Sequence, residues 1–349
     1  MCNCCFIIPK SVLDRLARDA GLERDVRDAM ARTALLDTEI RKLRIQNQNL
    51  TRIGMQLAPM LQGAVAAPAV QVYDCHHGLT LPGAPVPNPG SSPDATAKTS
   101  FVEATEVANF YSQIFGRNSV DGRGMALVSS VHYDMNFDNA FWNGVQMVYG
   151  DGDGQYFLDF TKSNDVIAHE FTHGVTQHTI QLAYKKNEAG GLNESLSDVF
   201  GSMFRQWRAK QTVGAADWLI GKGIIGPAAK ALGVTCLRDM ADPAAAHTFQ
   251  TKLGQTQITH YTQFSAGMDP HMSSGVPNLA FYTSAKAIGG HSWDKAGQIW
   301  YRAMTAGKPS PNMKMKAFAD RTRRAAAALY PGDAAIAKAV DQGWKKVGL

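Results

Sequence analysis

Apolar positions first recur at helical spacing. Val12, Leu13, Leu16 and Ala17 share one face of a segment that Ser11 can cap and Gly21 breaks. Val26, Met30, Leu36, Ile40 and Leu43 stripe a longer helix, with Arg and Asp between them. So small a piece holds little core, and its stripes need another surface to cover them. Residues 62–72 are small and uncharged and read as an exposed linker open to proteolysis, while residues 82–99, rich in Pro, Gly, Ser and Thr, read as loop.

Between residues 70 and 160 the period shortens. Residues 70–73, 125–131, 145–149 and 156–160 are strand-like, and residues 101–115 are helical. Gly150-Asp-Gly-Asp-Gly154 is a turn between the last two strands; Asp151 and Asp153 could take a cation, but their alternation with Gly favours the turn. Helical pattern then dominates over residues 165–178 and 193–210. After loops near 233–275 it returns at 276–288, 293–306, 314–329 and 334–347, with Pro331-Gly332 between the last two.

With 349 residues the chain has room for two or three compact units. A hydrophobic content of 45% and charged content of 19% are ordinary for a globular protein. The net charge of +5 is a mild bias without a dense Lys/Arg run among aromatics, which argues against a nucleic-acid partner; Arg321-Thr-Arg-Arg324 reads as a solvated helix face. No stretch reaches membrane-spanning length, so no membrane role is expected. Cys2, Cys4, Cys5, Cys75 and Cys236 are odd in number and unevenly spaced, which predicts reduced thiols in a reducing compartment. Phe6-Ile7-Ile8 is too short for a signal-peptide core, and charge follows at once. The expectation is a cytoplasmic product, or one secreted by a route without a classical signal peptide.

The chemistry centres on His169-Glu-Phe-Thr-His173, an H-E-x-x-H pattern. On a helix, residues four apart lie almost above one another, so both imidazoles can face one metal ion. Glu170, one step round from His169, can reach a water on that ion. Catalytic zinc usually has three protein ligands and a water. Glu194, within Gly190-Gly-Leu-Asn-Glu-Ser-Leu-Ser-Asp198, is the candidate third ligand.

Further blocks follow in order: Ile7-Ile-Pro9, Val72-Tyr-Asp74, Phe115-Gly-Arg-Asn-Ser119, Asn139-Ala-Phe-Trp-Asn-Gly144, Met147-Val-Tyr149, Leu237-Arg-Asp-Met-Ala-Asp-Pro243, His271-Met-Ser-Ser-Gly275 and Lys295-Ala-Gly-Gln-Ile-Trp-Tyr301. Together with the histidine helix they make the chain resemble, over nearly its whole length, the thermolysin family of zinc metalloendopeptidases, in its protealysin-like branch with short propeptides. The resemblance implies an α+β fold: a mixed α/β domain and a mainly helical domain, preceded by a small helical propeptide. The corresponding boundaries are 1–66, 67–210 and 211–349, with the zinc helix at the floor of the cleft between the last two.

The same resemblance implies one Zn2+ on His169, His173 and Glu194, and Glu170 as general base toward the attacking water. Asp198 would orient a ligand histidine. His271, supported by the nearby Asn278, and Tyr184 would stabilise the charged tetrahedral intermediate. Asn139, the Ala140 backbone and Trp142 would form the edge strand that pairs with substrate, and Arg238 would bind a substrate carbonyl. Substrates would be peptides or proteins with a large apolar residue after the scissile bond. The N-terminal segment would inhibit in cis until cleavage somewhere between residues 50 and 70. A catalytically silent, peptide-binding relative is the alternative, and so is a latent form whose N-terminal segment serves as an interaction module. A thiolate from Cys4 or Cys5 could also close the open zinc position.

Some positions depart from the family pattern. Ser273 stands where an Asn is usual, and Ala266 where an Asp orients the cleft histidine; Asp269 is near enough to substitute. Lys10 and Ser11 replace a proline and a tyrosine. Arg205 and Lys222 fall where calcium-binding members carry glutamates, beside retained Asp165 and Asp217. Two cations oppose a calcium site, so ion pairs are expected there and the double-calcium site is expected to be absent.

Overall fold

In the computed structural model the structure describes residues 5–57, 67–184 and 187–349. Cys2, Cys4 and residues 62–66 of the expected linker lie outside the described residues. The chain opens with β1 (Cys5–Phe6), α1 (Lys10–Leu16) and α2 (Arg24–Leu57). Helix α1 starts from Pro9 as N-cap rather than from Ser11. Proline presets φ and needs no N–H at that end, so it opens the helix unaided by a side-chain cap.

The first large domain is built on a mixed sheet. Strand β2 (Val70–Asp74) pairs with β3 (Ala84–Pro85) and runs parallel to β4 (Leu127–Val131). A parallel pair needs a crossover, and α3 (Ala95–Phe115) supplies it. Asp94 caps α3 by accepting the Thr96 N–H at 2.9 Å, and Gly116 ends it at φ 63°. Strands β5 (Ala140–Trp142) and β6 (Met147–Tyr149) complete the sheet in the order β1-β5-β6-β4-β2-β3. The strand expected at residues 156–160 is instead a loop with one bridge, Phe157 to Ile225. Phe157 and Phe160 are buried all the same, so the apolar run reports a core and not a strand.

Two buried helices carry the candidate chemistry: α4 (Asn164–His178) and α5 (Glu188–Arg208). Every residue from Asp165 to Thr176 is buried, polar ones included. Tyr111 of α3 stacks on Phe171 of α4 and Phe200 of α5, and its hydroxyl meets Thr172 Oγ1 at 2.7 Å. Helix α5 begins five residues before the sequence pattern placed it, because Gly190-Gly191 reads as a breaker. A Cβ on Gly191 would lie 2.4 Å from Ser273 Oγ, so glycine is there for close packing. A Cβ on Gly201 would likewise meet the Asp165 carbonyl at 2.7 Å, which lets α5 lie directly on α4.

The second domain is mainly helical. A short hairpin of β7 (Leu219–Ile220) and β8 (Arg238–Asp239) flanks α6 (Pro227–Ala231), and α7 (Phe249–Lys252) follows. Then come α8 (Pro270–Ser273), α9 (Gly275–Ile288), α10 (Lys295–Thr305), α11 (Met315–Leu329) and α12 (Ala334–Lys346). Trp300 of α10 stacks on Trp344 of α12, whose indole N–H donates to Thr322 Oγ1 at 2.7 Å.

Among the described residues the N-terminal segment shares its apolar side chains with the rest of the protein. Val12, Leu13, Leu16, Val26, Met30 and Ala34 join the main core, and Phe6 packs on Phe141 at 4.8 Å between ring centres. Among the described residues no helix is long and apolar enough to cross a membrane.

Candidate active site

His169 and His173 project from α4 toward a single point. Their Nε2 atoms are 3.0 Å apart, and Glu194 of α5 places one oxygen 3.5 Å from each. All three side chains are buried. The outer ring nitrogens are held in place: His169 Nδ1 meets Asp198 Oδ1 at 2.9 Å, and His173 Nδ1 meets Asn193 Oδ1 and Ser197 Oγ, each at 3.0 Å. Fixing Nδ1 turns each Nε2 lone pair inward. Neither Glu194 oxygen finds a hydrogen bond among the described residues. A buried carboxylate in that condition is costly, and a divalent cation between it and the two imidazoles would satisfy all three. The donor set of two N and one O fits zinc. Glu170 offers an oxygen within 4.8 Å of the imidazole nitrogens.

Charge in this region is strongly coupled. Burial opposes ionisation of Glu194, but His271 and His169 overcome it and hold the carboxyl well below the usual range. Burial likewise opposes charge on His169, yet Asp198 and Glu194 push the ring up to about 9. Such an anionic surrounding favours a metal cation in place of the proton.

Asp198 is engaged on three sides. Arg238 of β8 donates Nε to Oδ2 at 2.8 Å and Nη2 to Oδ1 at 2.7 Å, while Asn278 donates to Oδ2 at 2.9 Å. Burial would raise this carboxyl, but Arg238 and His169 hold it well below the ordinary carboxylate range.

His271 sits on α8 across from α4. Its Nδ1 lies 2.8 Å from Asp269 Oδ1, which also accepts the His271 backbone N–H at 2.9 Å. Asp269 therefore does what an Asp at position 266 would have done, from the N-cap of a short helix. Tyr184 OH lies 3.4 Å from His271 Nε2, and Glu194 Oε2 lies 3.3 Å from it. Burial lowers the basicity of His271, whereas Glu194 and Asp269 raise it, and the net direction is up.

Of the substrate-binding residues expected from the sequence, Asn139, Ala140 and Arg238 hydrogen-bond the chain's own N-terminus. Strand β1 pairs antiparallel with β5, Phe6 opposite Phe141. Ile7 N–H donates to the Ala140 carbonyl at 3.1 Å, and Ile8 N–H to Asn139 Oδ1 at 2.9 Å. Asn139 Nδ2 returns a bond to the Ile8 carbonyl at 3.0 Å, and Arg238 Nη1 donates to the Ile7 carbonyl at 3.1 Å. His271 Nε2 lies 2.6 Å from the Phe6 carbonyl oxygen. Trp142 donates its indole N–H to Gln177 at 3.0 Å, tying β5 to α4. Asn193, the residue before Glu194 and given no role in the sequence analysis, also reaches the site through its contact with His173.

Arg205 lies where the sequence led us to expect ion pairs with the retained Asp165 and Asp217. It donates to Asp165 at 3.2 Å and pairs with Asp217, which Lys222 also approaches at 3.4 Å.

Two family models match the chain: thermolysin metallopeptidase, catalytic domain, over residues 70–177, and thermolysin metallopeptidase, alpha-helical domain, over residues 181–349. An extracellular metalloprotease of Pectobacterium carotovorum subsp. carotovorum is 39% identical over 284 residues, covering 80% of each chain. Protease PrtS of a Photorhabdus strain is 36% identical over 288 residues, covering 80% of this chain and 76% of that one. The solved precursor of protealysin, a metalloproteinase from Serratia proteamaculans, superposes with a TM-score of 0.82 at 34% identity over 99% of both chains.

These relatives correct the expected location. A relative named for its extracellular location points to secretion and overturns the cytoplasmic expectation. Cys75 and Cys236, two of the five cysteines, are buried, and burial pushes their thiols up to about 11 and about 12, so these two do not report the redox compartment. With both family models matched in sequence order and relatives aligned over most of their own length, the chain belongs to the thermolysin family of metallopeptidases.

Proposed function

We propose that this chain is a latent zinc endopeptidase whose N-terminal segment, residues 1–66, inhibits the unit formed by residues 67–210 and 211–349. The observation that carries this reading is the convergence of His169 Nε2 and His173 Nε2, 3.0 Å apart, on a buried Glu194 carboxylate. His169, His173 and Glu194 would hold the ion. When bound, zinc supplies Lewis acidity and acidifies a water. Glu170 takes a proton from the attacking water and delivers it to the leaving amine. His271, held in place by Asp269, and Tyr184 donate to the oxygen on which charge develops. Asp198 and Asn193 fix the ligand rings. Asn139, Ala140 and Arg238 bind the substrate main chain as an added strand, with Trp142 bracing it. We further propose a preference for a large apolar residue after the scissile bond; the buried Ile7, whose carbonyl accepts from Arg238, supports it. The ion pairs of Arg205 and Lys222 with Asp165 and Asp217 support one zinc and no double-calcium site.

Purified full-length protein and its Glu170→Ala variant, followed side by side for chain mass, zinc content and peptide hydrolysis, test this reading. The expected outcome is one zinc in each, with hydrolysis, after loss of the N-terminal segment, by the wild type alone. A wild type that binds zinc and stays inert after trace trypsin removes the segment would instead be the silent, peptide-binding relative.

A further inference from the structure

We propose that the peptide bond between Phe6 and Ile7 is a processing site, presented by the chain to its own active site in the polarity and register of a substrate. The inference rests on the metalloprotease reading above and adds which bond is cut first and what that cut leaves behind.

The register follows from the peptide groups taken one at a time. In the bond from Phe6 to Ile7, the carbonyl faces His271 Nε2 at 2.6 Å and the N–H donates to the Ala140 carbonyl at 3.1 Å. In the next bond, the Ile7 carbonyl takes Arg238 at 3.1 Å and the Ile8 N–H goes to Asn139 at 2.9 Å. In the third, the Ile8 carbonyl accepts from Asn139 Nδ2 at 3.0 Å, and Pro9 has no N–H to give. Of these three carbonyls, the Phe6 oxygen is the one beside His271, whose Nε2 is also 3.3 Å from Glu194 and 3.4 Å from Tyr184. The residue that would become the new N-terminus is an isoleucine with no exposed surface.

The step adds one water across the bond. The water oxygen bonds to the Phe6 carbonyl carbon, the C–N bond breaks, and the Ile7 nitrogen carries away the proton that Glu170 delivers. The piece ending at Phe6, with its cysteines, is released. The rest stays: Ile8 remains paired with Asn139, Ile7 with Arg238, and Val12, Leu13 and Leu16 remain buried in the main core. This cut therefore trims the chain without activating it, unlike the cut expected between residues 50 and 70.

The test follows full-length zinc-loaded protein by intact mass and N-terminal sequencing, beside Glu170→Ala and Ile7→Pro variants. The wild type is expected to gain Ile7 as its first residue while hydrolysis of a reporter peptide stays suppressed. Both variants are expected to keep the bond intact. Hydrogen exchange on the Glu170→Ala chain gives a readout independent of turnover. The Ile7 and Ile8 amides are expected to exchange slowly there and to speed up when Asn139→Ala is added. A wild type that hydrolyses the reporter after trace trypsin, yet never shows Ile7 as an N-terminus, overturns this inference and leaves the metalloprotease reading standing. Fast exchange at Ile7 and Ile8 also overturns it. A protein that cleaves neither itself nor the reporter overturns the underlying reading instead.

Discussion

Arg238 grips Asp198 with two parallel hydrogen bonds, 2.8 and 2.7 Å long, and both side chains are buried. The pair joins the hairpin of the helical domain to the carboxylate that orients His169. Removing one partner strands a buried charge, at a typical cost of about 3–5 kcal/mol. Arg238→Leu is therefore expected to lower unfolding stability by about that amount in urea titration. Asp198→Asn is expected to weaken zinc binding by about 10–100-fold, read by competition with a chelator. Unchanged zinc affinity in Asp198→Asn would mean that His169 is oriented by something else.

Asn139 makes two hydrogen bonds to Ile8. At about 1 kcal/mol each, their loss corresponds to about 30-fold in the docking equilibrium of the N-terminal strand. Asn139→Ala is thus expected to raise the basal peptide hydrolysis of unprocessed protein and also to raise KM once the segment is removed. A change in KM with latency untouched would show that the helices, and not the strand, impose inhibition.

Arg205 stands between Asp165 and Asp217. Added calcium is expected to leave the Tm of the wild type unmoved, while zinc chelation abolishes hydrolysis. Arg205→Ala is expected to destabilise the fold by exposing the buried Asp165 charge, and calcium should restore part of that loss. Elemental analysis that finds tight stoichiometric calcium in the wild type would refute the proposal.

His132 lies between two carboxylates, 2.9 Å from Asp151 and 2.8 Å from Asp94. The bond to Asp151 and, after burial opposes it, the bond to Asp94 raise its pKa from 6.5 to about 9. Because the folded value is the higher one, the stabilisation is complete below pH 6.5 and is lost as pH rises through about 9. The shift corresponds to roughly 3 kcal/mol. Urea midpoints of the wild type should fall between pH 6.5 and 9, and those of His132→Gln should fall less. Parallel profiles would place the pH dependence elsewhere.

How legible each residue was depended on how local its determinant is. His169 and His173 could be read directly, since helical spacing alone aligns them. Glu194 and Asp198 were assigned their roles through the family resemblance, and their spacing of four on α5 puts both on the face toward α4. Asp269 in place of an Asp at position 266 was harder, because the N-cap of a four-residue helix swings its carboxylate onto His271 in a way no periodicity encodes. The start of α5 was misplaced because Gly190-Gly191 looks like a break when the neighbour that demands it, Ser273, is far along the chain. The register of β1 on β5 spans more than 130 residues, as in the bond from Ile8 to Asn139, and no local pattern fixes such a pairing.

Pro9 gives that register a ruler. It follows the last cleft-bound residue, opens α1, and has no N–H. A slip of one residue would bring Pro9 to Asn139 Oδ1 with nothing to donate, and would turn every side chain of the strand to the opposite face. The chain thus measures out from Pro9 the distance to its own reacting centre, and lengthening the Ile7-Ile8 spacer by one residue would move the mark from Phe6 to a different bond.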